Sequence, residues 1–296
     1  MMLYDIYDTA WIFFIYSFIG WCLEVILYAV VEGKFVNRGF LNGALCPIYG
    51  IGVLIVITVL NDVKDNIVLL FFASVLLTSI LELLVGFILD KLFKKRWWDY
   101  SNEPMNLGGY VCLRFSLMWG IGCIVVVDLV HPLILQGIDL IPHGLGIVLL
   151  MMLLAVLFYD LVYTLLVIKK FNRGIIQLEE IARNIKKISD RIGGVVADGA
   201  ITIMEKGELR EKYGRLKGAS EYIQDQFKGI NETSKEEMSK KLADLKKAQK
   251  DLAQKFADEN KRLLSAFPTM SSVKYKESIE KIKETFRENR KSKGKK

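Results

Sequence analysis

RGFLNGALCPIYGIG, residues 38–52, opens polar and glycine-punctuated, closes apolar, and carries Pro47 at its centre. It reads neither as an ordinary loop nor as an ordinary membrane helix. A similar phrase, GGYVCLRFSLMWGIG, recurs at residues 108–122. Setting Gly39 against Gly109 brings Tyr49-Gly50-Ile51-Gly52 onto Trp119-Gly120-Ile121-Gly122. Upstream, CLEVIL (22–27) answers ILELLV (80–85), which sets Glu24 against Glu82. The shared order of carboxylate, glycine pair and aromatic-Gly-Ile-Gly ending predicts one helical hairpin used twice, over about 11–60 and 67–130. Each unit holds two spans, so the copies share an orientation and form a parallel repeat. The phrase is then the entry to the second helix of each hairpin. Gly39, Gly43, Gly50, Gly109 and Gly120 permit close backbone approach, and Pro47 frees a carbonyl. Both a partly unwound or re-entrant entry and a proline-kinked helix satisfy this pattern.

Working outward, five apolar runs at 11–31, 44–60, 67–89, 113–130 and 145–168 qualify or nearly qualify as spans. Hydrocarbon about 30 Å thick needs roughly 20 apolar helical residues. The sequence therefore predicts an all-α, polytopic membrane protein of about five transmembrane helices. Domains are expected at 1–168 (membrane) and 169–296 (a basic, charged, helical and coiled-coil-like tail). The two parts differ sharply in charge. The first carries eight Lys/Arg against thirteen Asp/Glu, the second thirty-two against twenty. The first run lacks a basic n-region and a small-residue cleavage site, so it is not a cleaved signal. Lys34 and Arg38, then Lys91, Lys94, Lys95 and Arg96, then Lys169, Lys170 and Arg173 follow spans one, three and five, against Lys64 alone on the other side. By the positive-inside rule the N-terminus is outside and the tail cytoplasmic, in the cell membrane.

Charges inside the spans carry the candidate site. Glu24, Glu82 and Asp160 each lie nine residues before the end of a span, about 13 Å along a helix. Arg114, entering from the same side, reaches a similar depth. Such charges are costly in hydrocarbon and should face the bundle interior and pair, with Arg114 bridging one or both glutamates. This layer reads either as part of a substrate, ion or proton path or as an ionic clamp between hairpins. Cys22, Cys46, Cys112 and Cys123 show no C-x-x-C spacing and read as free thiols. His131 and His143 read as exposed loop histidines flanking the 131–143 connection. No metal and no cofactor is expected.

In the tail, Leu178, Ile181, Ile185, Ile188 and Ile192 follow 3-4 spacing, with Gly193-Gly194 ending the helix. The stripe at 175–192 could form a homo-oligomer or pack on later helices, predicted near 235–264 and 273–289 with Pro268 as a breaker. The positive charge is interleaved with acids, so nucleic acid is not implied. No phosphate loop, H-E-x-x-H or G-x-S-x-G occurs, so an enzyme is not expected. Two further readings stay open: a membrane-anchored scaffold or signalling protein acting through the tail, and an intramembrane enzyme acting on lipid.

FIGWCLEVILY, RGFLNGALCPIYGIG, LELLVGFILDKLF, RWWDYSNEPMNLGGYVCL and SLMWGIG together resemble the bacterial proteins named the putative type IV ABC-transporter permease family. The similarity covers roughly residues 8–165. It implies a permease-like subunit, embedded in the lipid bilayer and working with a separate ATP-binding subunit.

Overall fold

A computed structural model describes residues 4–212, 217–272 and 274–293, and the side chains among them outside 192–235 and 290–293. The protein is an all-α polytopic membrane protein. Among the described residues, four helices are long and apolar enough to cross a bilayer: Ile6–Glu32, Ile67–Phe93, Leu113–Asp139 and His143–Arg191. Burial follows the lipid pattern. Ser17, Ser74, Ser116 and Thr164 are buried, while Phe72, Leu76, Met151 and Phe158 are exposed. Small residues inside let helices approach, and large apolar ones face the solvent that suits them.

The described residues divide into two compact units. One comprises Met1–Asn172 with Asn260–Lys276, the other Arg173–Glu259 with Glu277–Lys296. Residues 260–276, part of the tail by sequence, thus belong to the membrane unit.

In the membrane unit, α1 (Ile6–Glu32) starts at Asp5, whose carboxylate caps the Asp8 amide, and ends at Gly33 in the left-handed region. α2 (Pro47–Val59) follows, then α3 (Ile67–Phe93), capped by Asn66. A two-residue antiparallel ribbon, β1 (Asn106–Leu107) with β2 (Val111–Cys112), leads into α4 (Leu113–Val125). A π turn (Val126–Val130) joins α4 to α5 (His131–Asp139), and α6 (His143–Lys212) completes the bundle. α1 packs on α2 at glycines. Gly20 lies under the Tyr49 ring, and Gly50 sits against Ser17 and the Phe13 carbonyl with no room for a Cβ. α3 packs on α4 with Gly120 against Phe71 and Val75, and Ser79 Oγ donates to Ser116 Oγ at 2.7 Å.

Several expectations are revised. The second apolar run is helical only over 13 residues, about 20 Å, because Pro47 begins the helix and the chain before it is irregular, with bends over 39–44. The entry is unwound rather than kinked. The fourth run continues past Val130 to Asp139, the π turn accommodating Pro132. His131 is therefore in a helix and buried, 2.8 Å from the Tyr4 hydroxyl, instead of exposed in a loop. Gly193-Gly194 does not end α6. Each glycine costs a helix about 1 kcal/mol, yet no proline or cap adds a stop there.

In the second unit, α7 (Lys217–Glu259) and α9 (Lys276–Lys293) join the latter part of α6. Gly174 leaves space that the Phe256 ring fills, and Ser278 Oγ donates to Glu179 at 2.8 Å. Leu178 is buried, and Ala253, Ala257, Ile279 and Ile282 are buried on the other helices. α8 (Lys261–Ala266), part of the membrane unit, ends just before Pro268.

Candidate functional site

The unwound entry to α2 is the feature that needs explaining chemically. The Cys46 amide donates to the Ser17 carbonyl at 2.9 Å, although α1 continues to Glu32. That difference is roughly 22 Å along the helix. Residues 34–46 therefore return beside α1 without helical hydrogen bonds of their own. Irregular backbone inside a bundle survives only where protein satisfies it.

Here the partners come from distant parts of the chain. Asp160 of α6 accepts from the Asn42 amide (3.0 Å), the Gly43 amide (2.7 Å) and the Asn42 side chain (3.3 Å). Thr164, one turn further along α6, accepts from the Asn42 side chain at 2.7 Å. A Cβ on residue 43 would stand 2.9 Å from the Asp160 carboxylate, so glycine lets the acid close on the amide. On the opposite polarity, Arg262 of α8 donates to the carbonyls of Gly39 (3.1 Å), Leu41 (2.9 Å) and Phe40 (3.4 Å). Asn37 completes the account, donating to Asn42 O and accepting from Gly39 N and Trp21 Nε1. An anion holds the amides and a cation holds the carbonyls. Burial pulls the Arg262 guanidinium below its ordinary value, and Asp160 opposes that.

The other sequence candidates are placed separately. Glu24 accepts from the Tyr49 hydroxyl at 2.8 Å and from Arg38 Nε at 3.5 Å. Glu82 accepts from the Tyr100 hydroxyl at 3.2 Å, and its second carboxylate oxygen is buried without a hydrogen bond. Arg114 bridges neither glutamate. Its side chain is 74% exposed and lies 3.9 Å from Glu103. It sits in the first turn of α4, two residues after the extended Cys112, and from there it faces outward. The expected single charged layer is thus four separately partnered groups. Of the glycines, Gly50 and Gly120 serve helix packing, Gly39 and Gly43 the unwound entry, and Gly109 a turn at φ +75°.

The second entry, residues 94–112, is built differently. Asn106 accepts from the Gly109 amide and donates to Glu103 O, and Trp98 Nε1 donates to Tyr110 O. Arg96 lies 3.5 Å from Asp90 and 3.8 Å from Asp99, with its guanidinium over the Tyr110 ring. Residues 260–276 reach this loop too. Arg96 and Ser271 form an isolated β-bridge, Ser271 Oγ donates to Asp99 at 2.8 Å, and Ser272 Oγ donates to Lys94 O at 2.8 Å. Burial raises the Asp99 carboxyl, but Ser101, Ser271 and Arg96 outweigh it and hold the group below its usual range. Lys95 is buried with no hydrogen bond to Nζ, under the rings of Phe171 (4.3 Å) and Trp97 (5.0 Å), and burial pushes it down to about 7.

Sequence reasoning missed Arg38, Tyr49, Tyr100 and Arg262 as partners. One signal pointed to Arg262: the charged tail turns apolar at LLSAF (263–267), a composition that suits burial.

No curated protein and no solved structure matches the chain. One family does: the model described as "Putative ABC-transporter type IV" matches residues 11–165, which take in both hairpins, both loops and Asp160. That stretch is more than half of the 296 residues, and the chain belongs to this family.

Proposed function

We propose that the protein is a permease-like membrane subunit of an ABC-type transporter, paired with an ATP-binding subunit on a separate chain. The observation that carries this is the unwound entry at 34–46, held by Asp160 and Arg262, within a bundle of a transporter family. Broken helices whose backbone groups are held by side chains recur where transporters handle substrates. We read the chain as lacking catalysis of its own, since it has no phosphate loop.

We also propose that the two hairpins are copies of one parallel unit. The packing register supports it. Gly50 meets Phe13 and Ser17, and Gly120 meets Phe71 and Val75, positions related by the same offset that pairs Glu24 with Glu82. The Tyr49 and Trp119 rings, equivalent in that alignment, meet edge to face at 5.5 Å. Placement of Lys and Arg supports an outside N-terminus and a cytoplasmic tail. Self-association through 175–192 is the weaker part of the proposal, because Leu178 is already buried.

The test is purification of the tagged full-length chain from its own host in gentle detergent, with stoichiometric partners identified by mass spectrometry. A P-loop ATPase is expected, followed by ATP-driven uptake in vesicles. Within such a system Glu24→Gln should abolish uptake while protein levels stay near normal. A stable, monodisperse protein without any ATPase sinks the reading. It would favour the scaffold alternative, which the return of tail residues 260–276 to the membrane unit supports.

A further inference from the structure

The second entry reaches deep into the bundle, and its tip is uncovered. α3 is 27 residues long, about 40 Å. Ser79, whose hydroxyl bonds Ser116 of α4, stands about 21 Å from the Phe93 end and about 18 Å from the Ile67 end. Arg114, two residues before Ser116, lies about 3 Å from that level. The chain leading into α4 has therefore descended to the middle of α3. Met105 and Leu107 lie as deep, lining a groove of about 330 Å³ together with Phe72, Leu76 and Ser79.

At that depth the surface stays open. Met105 is 76% exposed and Leu107 62%, and Asn102, Pro104 and Gly108 are exposed beside them. Arg114, equally open, lies 3.9 Å from Glu103 and 5.7 Å from the Phe115 ring. The Leu113 amide donates to the Met105 carbonyl at 3.4 Å, so the ion pair and the apolar tip form one patch. Leu117 and Met118 extend it along α4. The offset that sets Gly39 against Gly109 sets Gly43 against Leu113. α6 closes on Gly43 through Asp160, whereas Leu113 is exposed.

Lipid does not complete such a surface. Irregular backbone and ionised side chains at hydrocarbon depth persist only against protein or water, and headgroups lie about 15 Å away. Water suits the Arg114–Glu103 pair but not the apolar side chains around it. A second copy suits both. Under a two-fold axis the patch meets itself, apolar on apolar, with Arg114 facing Glu103 of the partner subunit. The contact inside one chain is long, which leaves both groups able to pair across the axis.

We propose that the protein forms a two-fold dimer through the tip of the second entry and the start of α4, with Arg114 and Glu103 paired between copies. The dimer needs neither an ATPase partner nor the 175–192 stripe.

Two differently tagged copies expressed together in the protein's own host test it. The wild-type copies should co-purify in gentle detergent; failure overturns the dimer and leaves the ATPase reading untouched. Next, one copy carries Glu103→Arg and the other Arg114→Glu, which breaks the pair inside each chain. Mixed dimers should then outnumber like dimers about tenfold, because like charges repel across the axis. Random mixing overturns the charge pairing. Placement is read in native membranes with Met105→Cys, the four native cysteines changed to serine and a membrane-permeant bis-maleimide added. A covalent product of twice the chain mass is expected. A product with a different protein, labelling by a charged maleimide without cross-linking, or no reaction each overturns this interface, pointing to another subunit, a water-filled path or a lipid face. The tag experiments keep the native cysteines, so they decide the matter if the cysteine-free chain fails to fold.

Discussion

The two entry loops face the same problem and differ in how far they lean on remote residues to solve it. Residues 34–46 carry backbone groups that their own side chains cannot all satisfy, and they borrow Asp160, Thr164 and Arg262 from more than a hundred residues away. Residues 94–112 rely mostly on near neighbours, a two-residue ribbon, Asn106, Trp98 and the Asp90–Arg96–Asp99 group, and take only the Ser271 and Ser272 contacts from afar. The difference teaches where each loop is vulnerable. The first should fail when a remote residue is changed, the second when its own turn is changed.

The sharpest way to break that comparison is Asp160→Ala. It leaves the Asn42 and Gly43 amides without their acceptor. A hydrogen bond to a charged acceptor contributes about 1.5–3 kcal/mol, so losing the two made by half-buried Asn42 and exposed Gly43 should cost roughly 3–5 kcal/mol. The expected readout is a large fall in the thermal midpoint of the purified protein in detergent, with protection lost first in peptides covering 38–46. If residues 94–112 lose protection equally, the loops are not independent in the sense argued.

The second loop should respond to Gly109→Ala. Gly109 sits at φ +75°, and an added Cβ would fall 2.5 Å from Ser101 Oγ and 2.8 Å from Asp99. Left-handed strain plus displacement of packed neighbours should cost about 2–3 kcal/mol. Hydrogen exchange should rise in 94–112 and leave 38–46 unchanged.

Lys95 is the exception within the second loop. Its pKa in the folded protein is pushed down to about 7 by burial, against about 10.4 in an unfolded chain. Between these values the unfolded state binds more protons, so stability should rise as pH increases from about 7 to about 10. Below pH 7 the amine is charged in both states and the dependence flattens. Lys95→Met should raise stability at pH 7 by on the order of 2 kcal/mol and abolish this slope. The check is a set of unfolding midpoints between pH 6 and 10, and an unchanged slope would remove Lys95 as its source.

The contrast between the loops also marks what the sequence could reveal. The spans were legible because long apolar runs have few alternatives, and both entry phrases stood out through Gly and Pro. Glu24, Glu82 and Asp160 were found because a carboxylate in an apolar run is conspicuous. Their partners were not, since pairing depends on which element reaches which depth. Depth could not be read for the first entry, where Pro47 allowed either a kink or an unwound segment. Arg262 was hidden for another reason: the apolar stretch 263–267 marks its neighbourhood for burial, yet one arginine among many in a basic tail does not name the carbonyls it meets. The break at Pro268 was legible from the missing amide, whereas Gly193-Gly194 misled because a glycine pair weakens a helix without ending it.

Arg114 separates the two kinds of reading most cleanly, through the smallest expected effect. By sequence it is the only cation at the depth of three acids, so neutralising it should unpair one or both glutamates. In the structure it sits mostly exposed at the start of α4, 3.9 Å from Glu103, while Tyr49 and Arg38 serve Glu24 and Tyr100 serves Glu82. Exposed ion pairs are worth about 0–1 kcal/mol, and this separation places it at the lower end. Arg114→Gln should therefore shift the monomer's stability by less than about 0.5 kcal/mol, with exchange in 94–112 unchanged because the loop's one charge contact to α4, Glu103 with Arg114, is long and exposed. A destabilisation comparable to Asp160→Ala would restore the clamp and make the second loop as dependent on remote charge as the first.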